Sequence, residues 1–206
     1  LLPPSIERER YKYDYINWPA QNGAPFVDND NDGVYTPFID EPDWHGDEML
    51  FYVANDLDSV RTLYTYGSPP ISLEQQCLTY GYGSEDELKD VVFKKYTIIN
   101  KSENDWTDMY LSYWSMNDVG WGENDYPGCD TLLEMGYGYN AYEEDDMYEI
   151  PPAVAHMILQ GPITESIGDS AVFKNQTKTD YRNIPLTSYT FYMNSHYYYS
   201  VPISGK

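Results

Sequence analysis

Residues 28–35, Asp28-Asn29-Asp30-Asn31-Asp32-Gly33-Val34-Tyr35, set three carboxylates at alternate positions and follow them with a glycine. Carboxylates crowded this closely repel one another unless they are protonated or neutralised by a cation. A short loop curled around one divalent ion satisfies them. Oxygen ligands come from the first, third and fifth positions, the sixth-position Gly permits the sharp turn, and the Val34 carbonyl at the seventh points inward. The segment is therefore expected to bind calcium through Asp28, Asp30, Asp32 and Val34. An EF-hand would supply Glu at the twelfth position, but Ile39 stands there, and Asp40, Glu41 and Asp43 follow. Any of these three acids could close the shell, and the sequence does not choose among them. No long amphipathic helices flank the loop, which argues against a helix–loop–helix sensor and for a fixed structural site. The competing reading is a solvated Asn/Asp turn, which is less specific than three alternating aspartates before a Gly.

The acidity is general. Thirty-four Asp and Glu against 12 Lys and Arg give a formal charge of −22 over 206 residues. A surface this negative is a poor partner for nucleic acid or an anionic membrane, since both call for a cationic face. No run approaches the roughly 20 apolar residues that span a bilayer, so membrane insertion is not expected. The 41% hydrophobic content supplies a core and excludes wholesale disorder. Of the aromatics, 23 are tyrosines, whose apolar ring and polar tip suit half-buried strands. Cys77 and Cys129 are the only cysteines, too few for a disulfide scaffold, and whether they pair is left open.

Short runs separated by turn residues predict an all-β chain, an antiparallel β-sandwich of jelly-roll or Ig-like type with long acidic calcium-binding loops. Strands are expected at about 48–54, 61–66, 71–81, 90–100, 107–116, 131–140, 153–160 and 185–193. The clearest alternation places Leu133, Met135, Tyr137 and Tyr139 on one face. Residues 1–25 read as a lead-in, with Tyr11, Tyr13 and Tyr15 alternating as in a short strand. Residues 26–206 read as one sandwich domain, with 163–185 as the candidate boundary or insertion. A helical turn is expected only at 84–90, where Glu87 follows Ser84 at capping-box spacing.

Other acidic clusters are less ordered. Asp118, Asp125 and Asp130 frame one long connection and form a candidate second calcium site. The run Glu143-Glu144-Asp145-Asp146 lacks both regular spacing and an internal Gly, and is expected to be a solvated loop. His45, His156 and His196 are isolated from one another and from any Cys at ligand spacing, which argues against zinc. Trp121, between Gly120 and Gly122, is the aromatic most suited to meet a ligand from a loop.

Taken together these residues resemble a domain of large secreted proteins in Bacteroidetes-like bacteria, many exported by the type IX secretion system. The resemblance runs from the Asp-rich loop through Tyr35, Pro37, Pro42-Asp43, Gly46-Asp47 and Asn55-Asp56. It continues with Phe93, Tyr96, Ile98, Asn100, Trp114, Asp118 and Gly120. Gly128-Cys129-Asp130, Gly136-Tyr137, Pro151-Pro152-Ala153-Val154 and Gln160-Gly161-Pro162 follow, with a weaker echo at Leu186 to Asn194. It implies an extracellular, modular surface protein and no established activity. One departure is Met116, where the resembled pattern carries an acid; it argues against a metal near Asp118.

For function, no Gly-x-Ser-x-Gly elbow, His-Glu-x-x-His, phosphate loop or dinucleotide fingerprint is present, and no catalytic residue is assigned. The expected role is a calcium-stabilised structural or adhesive domain at the cell surface. A carbohydrate-binding module using loop aromatics is the alternative, with a glycan-active hydrolase behind it. The expected partners are calcium and either polysaccharide or other surface proteins.

Overall fold

The computed structural model describes residues 5–120, 124–145, 147–191 and 203–204, the last two by backbone alone. The chain divides into two units, Leu1–Tyr110 and Leu111–Lys206. The division falls outside 163–185, the segment expected as the candidate boundary or insertion.

The first unit opens with helix α1 (Ile6–Ile16). This corrects the lead-in strand expected from Tyr11, Tyr13 and Tyr15. The Ser5 hydroxyl caps the helix by accepting from the Arg8 N–H, and Glu7 and Glu9 lie in the first turn, where the helix dipole favours negative charge. The helix buries no residue, so the tyrosine alternation reflects no sheet face. Strands β1 (Phe26–Val27) and β2 (Glu41–Pro42) pair antiparallel, Phe26 opposite Pro42 and Val27 opposite Glu41. They close the base of the acidic loop.

A meander follows: β3 (Glu48–Asn55), β4 (Leu73–Gly81) and β5 (Val92–Asn100), in the order β3-β4-β5. Along β3, half-buried Met49, Phe51 and Val53 alternate with exposed Leu50 and Tyr52, the period of two that marks a one-sided strand. Cys77 at the centre of β4 is fully buried, opposite Tyr52 on one side and Tyr96 on the other. Between β3 and β4 runs helix α2 (Ser59–Tyr66), not the strand expected at 61–66. Asp58 Oδ1 accepts from the N–H groups of Val60 and Arg61, and Gly67 ends the helix at φ 70°. These start and stop signals outweigh the β-branched and aromatic residues between them. Residues 82–91 form successive turns, Glu85 N–H to Tyr82 carbonyl and Leu88 N–H to Glu85 carbonyl.

No helix or strand occurs from 101 to 120, so the expected strand 107–116 is absent. Tyr110, Trp114 and Met116 stand well exposed there. Alternation without a neighbouring strand leaves the backbone groups no ladder to join.

The second unit contains another meander: β6 (Asp125–Asp130), β7 (Met135–Asn140) and β8 (Ala153–Met157). Asp130 Oδ1 accepts from the Leu132 and Leu133 N–H groups, and Glu134 has φ 52°; the β6–β7 connection is thus a turn, and β7 starts at Met135. The closely covered face of β7 is its glycine face. A side chain at Gly136 would meet the Tyr189 ring, and one at Gly138 would press on Asn117. Strands β9 (Ile163–Phe173) and β10 (Gln176–Asn183) form a long hairpin across the expected boundary. Lys174 and Asn175 both take positive φ, 50° and 61°, as a two-residue type I′ turn demands. Two short strands, β11 (Ser188–Tyr189) and β12 (Ile203–Ser204), pair last.

The antiparallel, β-rich class expected from the turn spacing is the class the chain adopts, in sheets of two and three strands. Among the described residues, the buried apolar side chains are Ala24, Cys77 and Leu78 in the first unit and Ala171 in the second. No helix among the described residues is long and apolar enough to cross a membrane.

Candidate metal centre

The acidic loop leaves β1 at Asp28 and returns to β2 after Asp40, so its two ends are held by the β1–β2 pairing. Within it the backbone turns through Asn31 at φ 60° and Gly33 at φ 78°, left-handed conformations that Asn and Gly tolerate. Asp28 fastens the turn: its Oδ1 accepts from the Asp32 N–H at 3.2 Å and its Oδ2 from the Gly33 N–H at 2.8 Å. Asp32 Oδ1 accepts from the Val34 N–H at 2.7 Å.

The result is convergence. One carboxylate oxygen from each of Asp28, Asp30 and Asp32 lies within 4.8 Å of the other two, a group that could hold a metal ion. Among the described residues it is the only set of three or more such side chains that close. Desolvation, and then the negative charges of Asp32, Asp40 and Asp28, hold the Asp30 carboxyl above its ordinary range; a hydrogen bond from the Asp32 backbone works the other way. Crowding of like charge in a small loop is the electrostatic condition that a divalent cation relieves.

Asp40 has a different task. It is 1% exposed, the most buried acid described. Its Oδ1 accepts from the Asn29 N–H at 2.9 Å and its Oδ2 from the Thr36 N–H at 2.7 Å. One buried carboxylate thus spans both arms of the loop. Asn29 adds its own bond, Nδ2 to the Ile39 carbonyl at 2.8 Å. Glu41 lies exposed in β2, opposite Val27. Asp43 sends its N–H to the Pro25 carbonyl, and its carboxylate lies 3.8 Å from His45. None of Asp40, Glu41 and Asp43 belongs to the converging three.

Helix α1 is tied to this loop through tyrosines that the sequence reading does not connect with it. The Tyr15 hydroxyl donates to the Asp40 carbonyl at 2.9 Å, and the Tyr35 hydroxyl donates to the Tyr15 carbonyl at 2.7 Å. Burial first, and then the neighbouring Tyr15 and Asp40, push the Tyr35 hydroxyl up to about 12. Edge-to-face contact of Phe26 with Tyr35, and of Tyr15 with Tyr35, completes the seam. Reading Tyr15 as a strand residue hides this role. The capping Ser5 and the Glu-Arg run are the signals that would have placed it on a helix.

The second acidic set does not assemble as Asp118, Asp125 and Asp130. Asp125 and Asp130 occupy opposite ends of β6, about 16 Å apart for a six-residue strand. Asp130 spends its carboxylate on the following turn, and Asp118 is exposed. Trp121 lies outside the described residues, as does His196. His45 packs on Tyr80 at 5.2 Å, and His156 meets Asn117 at 3.0 Å through Nε2. Cys77 and Cys129 are free thiols. No family model, curated protein or solved structure matches this chain.

Proposed function

We propose that the chain is a calcium-stabilised, non-catalytic structural or adhesive domain of a secreted bacterial surface protein. The observation that carries the reading is the convergence of the Asp28, Asp30 and Asp32 oxygens within 4.8 Å on a loop whose backbone is already fastened. An all-oxygen, multiply charged group favours a hard cation over zinc or copper. Its exposed setting suits a weak site that millimolar extracellular calcium keeps filled. The resemblance to exported modular domains supplies the location and the role.

The test is thermal unfolding of the chain with calcium and after complete chelation. An ion bound only by the folded state raises its stability by RT ln(1 + [L]/Kd), so calcium at ten times Kd lifts Tm by roughly 5–10 °C. Asp30→Asn should remove most of that gain. Identical melts with and without calcium would end the calcium reading.

A further inference from the structure

Asn124 and Asp125 stand at the start of β6, and each carries a buried side-chain oxygen without a hydrogen-bond partner, Asn124 Oδ1 and Asp125 Oδ1. They are the only two such atoms among the described residues. Asn124 is itself 8% exposed. An ionised carboxylate oxygen can only accept, so Asp125 Oδ1 calls for a donor or a cation.

The surroundings favour a cation. Asp125 Oδ2 is held by the Val119 N–H at 2.8 Å. Directly opposite Asp125 in the β6–β7 ladder is Asn140, which is also buried. Residues directly opposed in an antiparallel pair share a face, with Cβ atoms about 5 Å apart. Asn140 Nδ2 donates to Asp145 Oδ2 at 2.6 Å, which brings a second carboxylate to that face. Asp145 Oδ1 accepts from the Met147 and Tyr148 N–H groups at 2.7 and 2.8 Å, so its orientation is fixed. Gly120, at φ 74°, lies so close to Asp145 that a side chain there would run into the carboxylate. The adjoining Val119 and Gly120 therefore touch both acids, Val119 at Asp125 and Gly120 at Asp145.

We propose that Asn124 Oδ1, Asp125 Oδ1 and the Asp145 carboxylate form a second cation site, for a calcium-type ion, at the start of β6. The donor set is oxygen only and carries two negative charges, the chemistry of a hard divalent ion. It shares only Asp125 with the set expected from spacing. The segment 117–120 takes part through its backbone, and Asp130 has no part. The site lies wholly within the second unit and does not depend on the Asp28 loop. Its competitor is one ordered water donating to both orphaned oxygens.

Calcium chloride titrated calorimetrically into four versions of this 206-residue chain separates these outcomes: wild type, Asp30→Ala, Asp125→Asn and Asn124→Asp. The proposal expects one bound ion to disappear in Asp125→Asn while Asp30→Ala retains it. Asn124→Asp adds a charged ligand and should tighten the same ion about tenfold. Should Asp125→Asn fail to fold, Asn124→Asp decides alone. With only a water present, its extra charge lowers Tm equally with calcium and with chelator, and that result overturns the proposal. Loss of all binding in Asp30→Ala alone would also overturn it while sparing the loop. Loss of all binding in Asp125→Asn alone would support it and refute the loop.

Discussion

Replacing Asp40 isolates what the buried carboxylate does for the acidic loop. Asp40→Ala removes two acceptors at once, orphaning the N–H groups of Asn29 and Thr36. Each part-buried donor left without a partner costs about 1–3 kcal/mol, discounted where water can reach it. The expected loss is therefore about 2–4 kcal/mol, a large share of the 5–15 kcal/mol typical of a domain. At roughly 4–8 °C per kcal/mol for a unit of about 100 residues, Tm should fall by at least about 8 °C. Asp40→Asn keeps one acceptor but turns an amide N–H₂ towards the other donor, so it should lose about half as much. Circular dichroism melts in chelator and in calcium read both variants. The staple role predicts a similar drop in both buffers. An Asp40→Ala melt within about 2 °C of wild type in chelator would refute the reasoning, and a drop confined to calcium would make Asp40 a metal ligand instead.

Acid should act on the same loop with the opposite sign to its usual effect. Asp30 has a folded pKa above its unfolded one, so its ionisation opposes folding above the folded pKa, and that penalty fades as pH falls through it. The Tm gap between calcium-loaded and chelated protein should narrow over that window, as protons also compete for the ligands; a gap that widens in acid would contradict this. Tyr35, pushed up to about 12 and donating to the Tyr15 carbonyl, gives the alkaline counterpart. The unfolded chain loses that proton near pH 10 while the folded one holds it, so stability is present below about 10 and lost as pH rises towards 12. Tyr35→Phe should flatten the alkaline decline in Tm; an identical decline in the variant would remove Tyr35 as its cause.

Strands β3, β4, β5 and β8 were legible because each is bounded by turn residues and rich in β-forming side chains, and in β3 half-buried and exposed positions alternate. The Asp28 loop was legible because its spacing is itself geometric: alternate carboxylates and a following Gly describe a curl. What escaped had no burial to announce it. Helix α1 has no fully buried residue and only Tyr15 is half-buried, so it shows no wide apolar stripe, and its capping Ser5 is its main signature. The β9–β10 hairpin is mostly exposed, and its Thr, Ser, Asp and Lys residues lack an apolar period, leaving the Lys174-Asn175 turn as the sole cue. Residues 107–116 show the converse error. Met109, Leu111 and Tyr113 alternate, yet pairing depends on a partner strand that no local pattern supplies. Asp40 was named only beside Glu41 and Asp43 as an acid that could close the shell, and its use on two backbone donors depends on how 29 and 36 are brought together.

A charge of −22 invites the idea that this chain collects many cations, and the hydrogen bonds argue otherwise. Asp56 accepts from the Ile71 and Leu73 N–H groups, both at 2.6 Å, and Asp47 from the Ser84 N–H at 2.7 Å. Hydrogen bonds from Ser84, side chain first and backbone second, draw the Asp47 carboxyl below its ordinary range. Asp58 caps α2 and Asp130 the β6–β7 turn. In each case backbone dipoles stabilise the anion and the anion fixes a turn, so one acid serves both sides without a metal. Acidity alone is therefore a poor count of ions. A cation is called for only where carboxylates converge on one another, as at Asp28, Asp30 and Asp32, or where a buried oxygen is left with no donor, as at Asp125. Asp47, Asp56, Asp58 and Asp130 are joints of the backbone before they are sites for anything else.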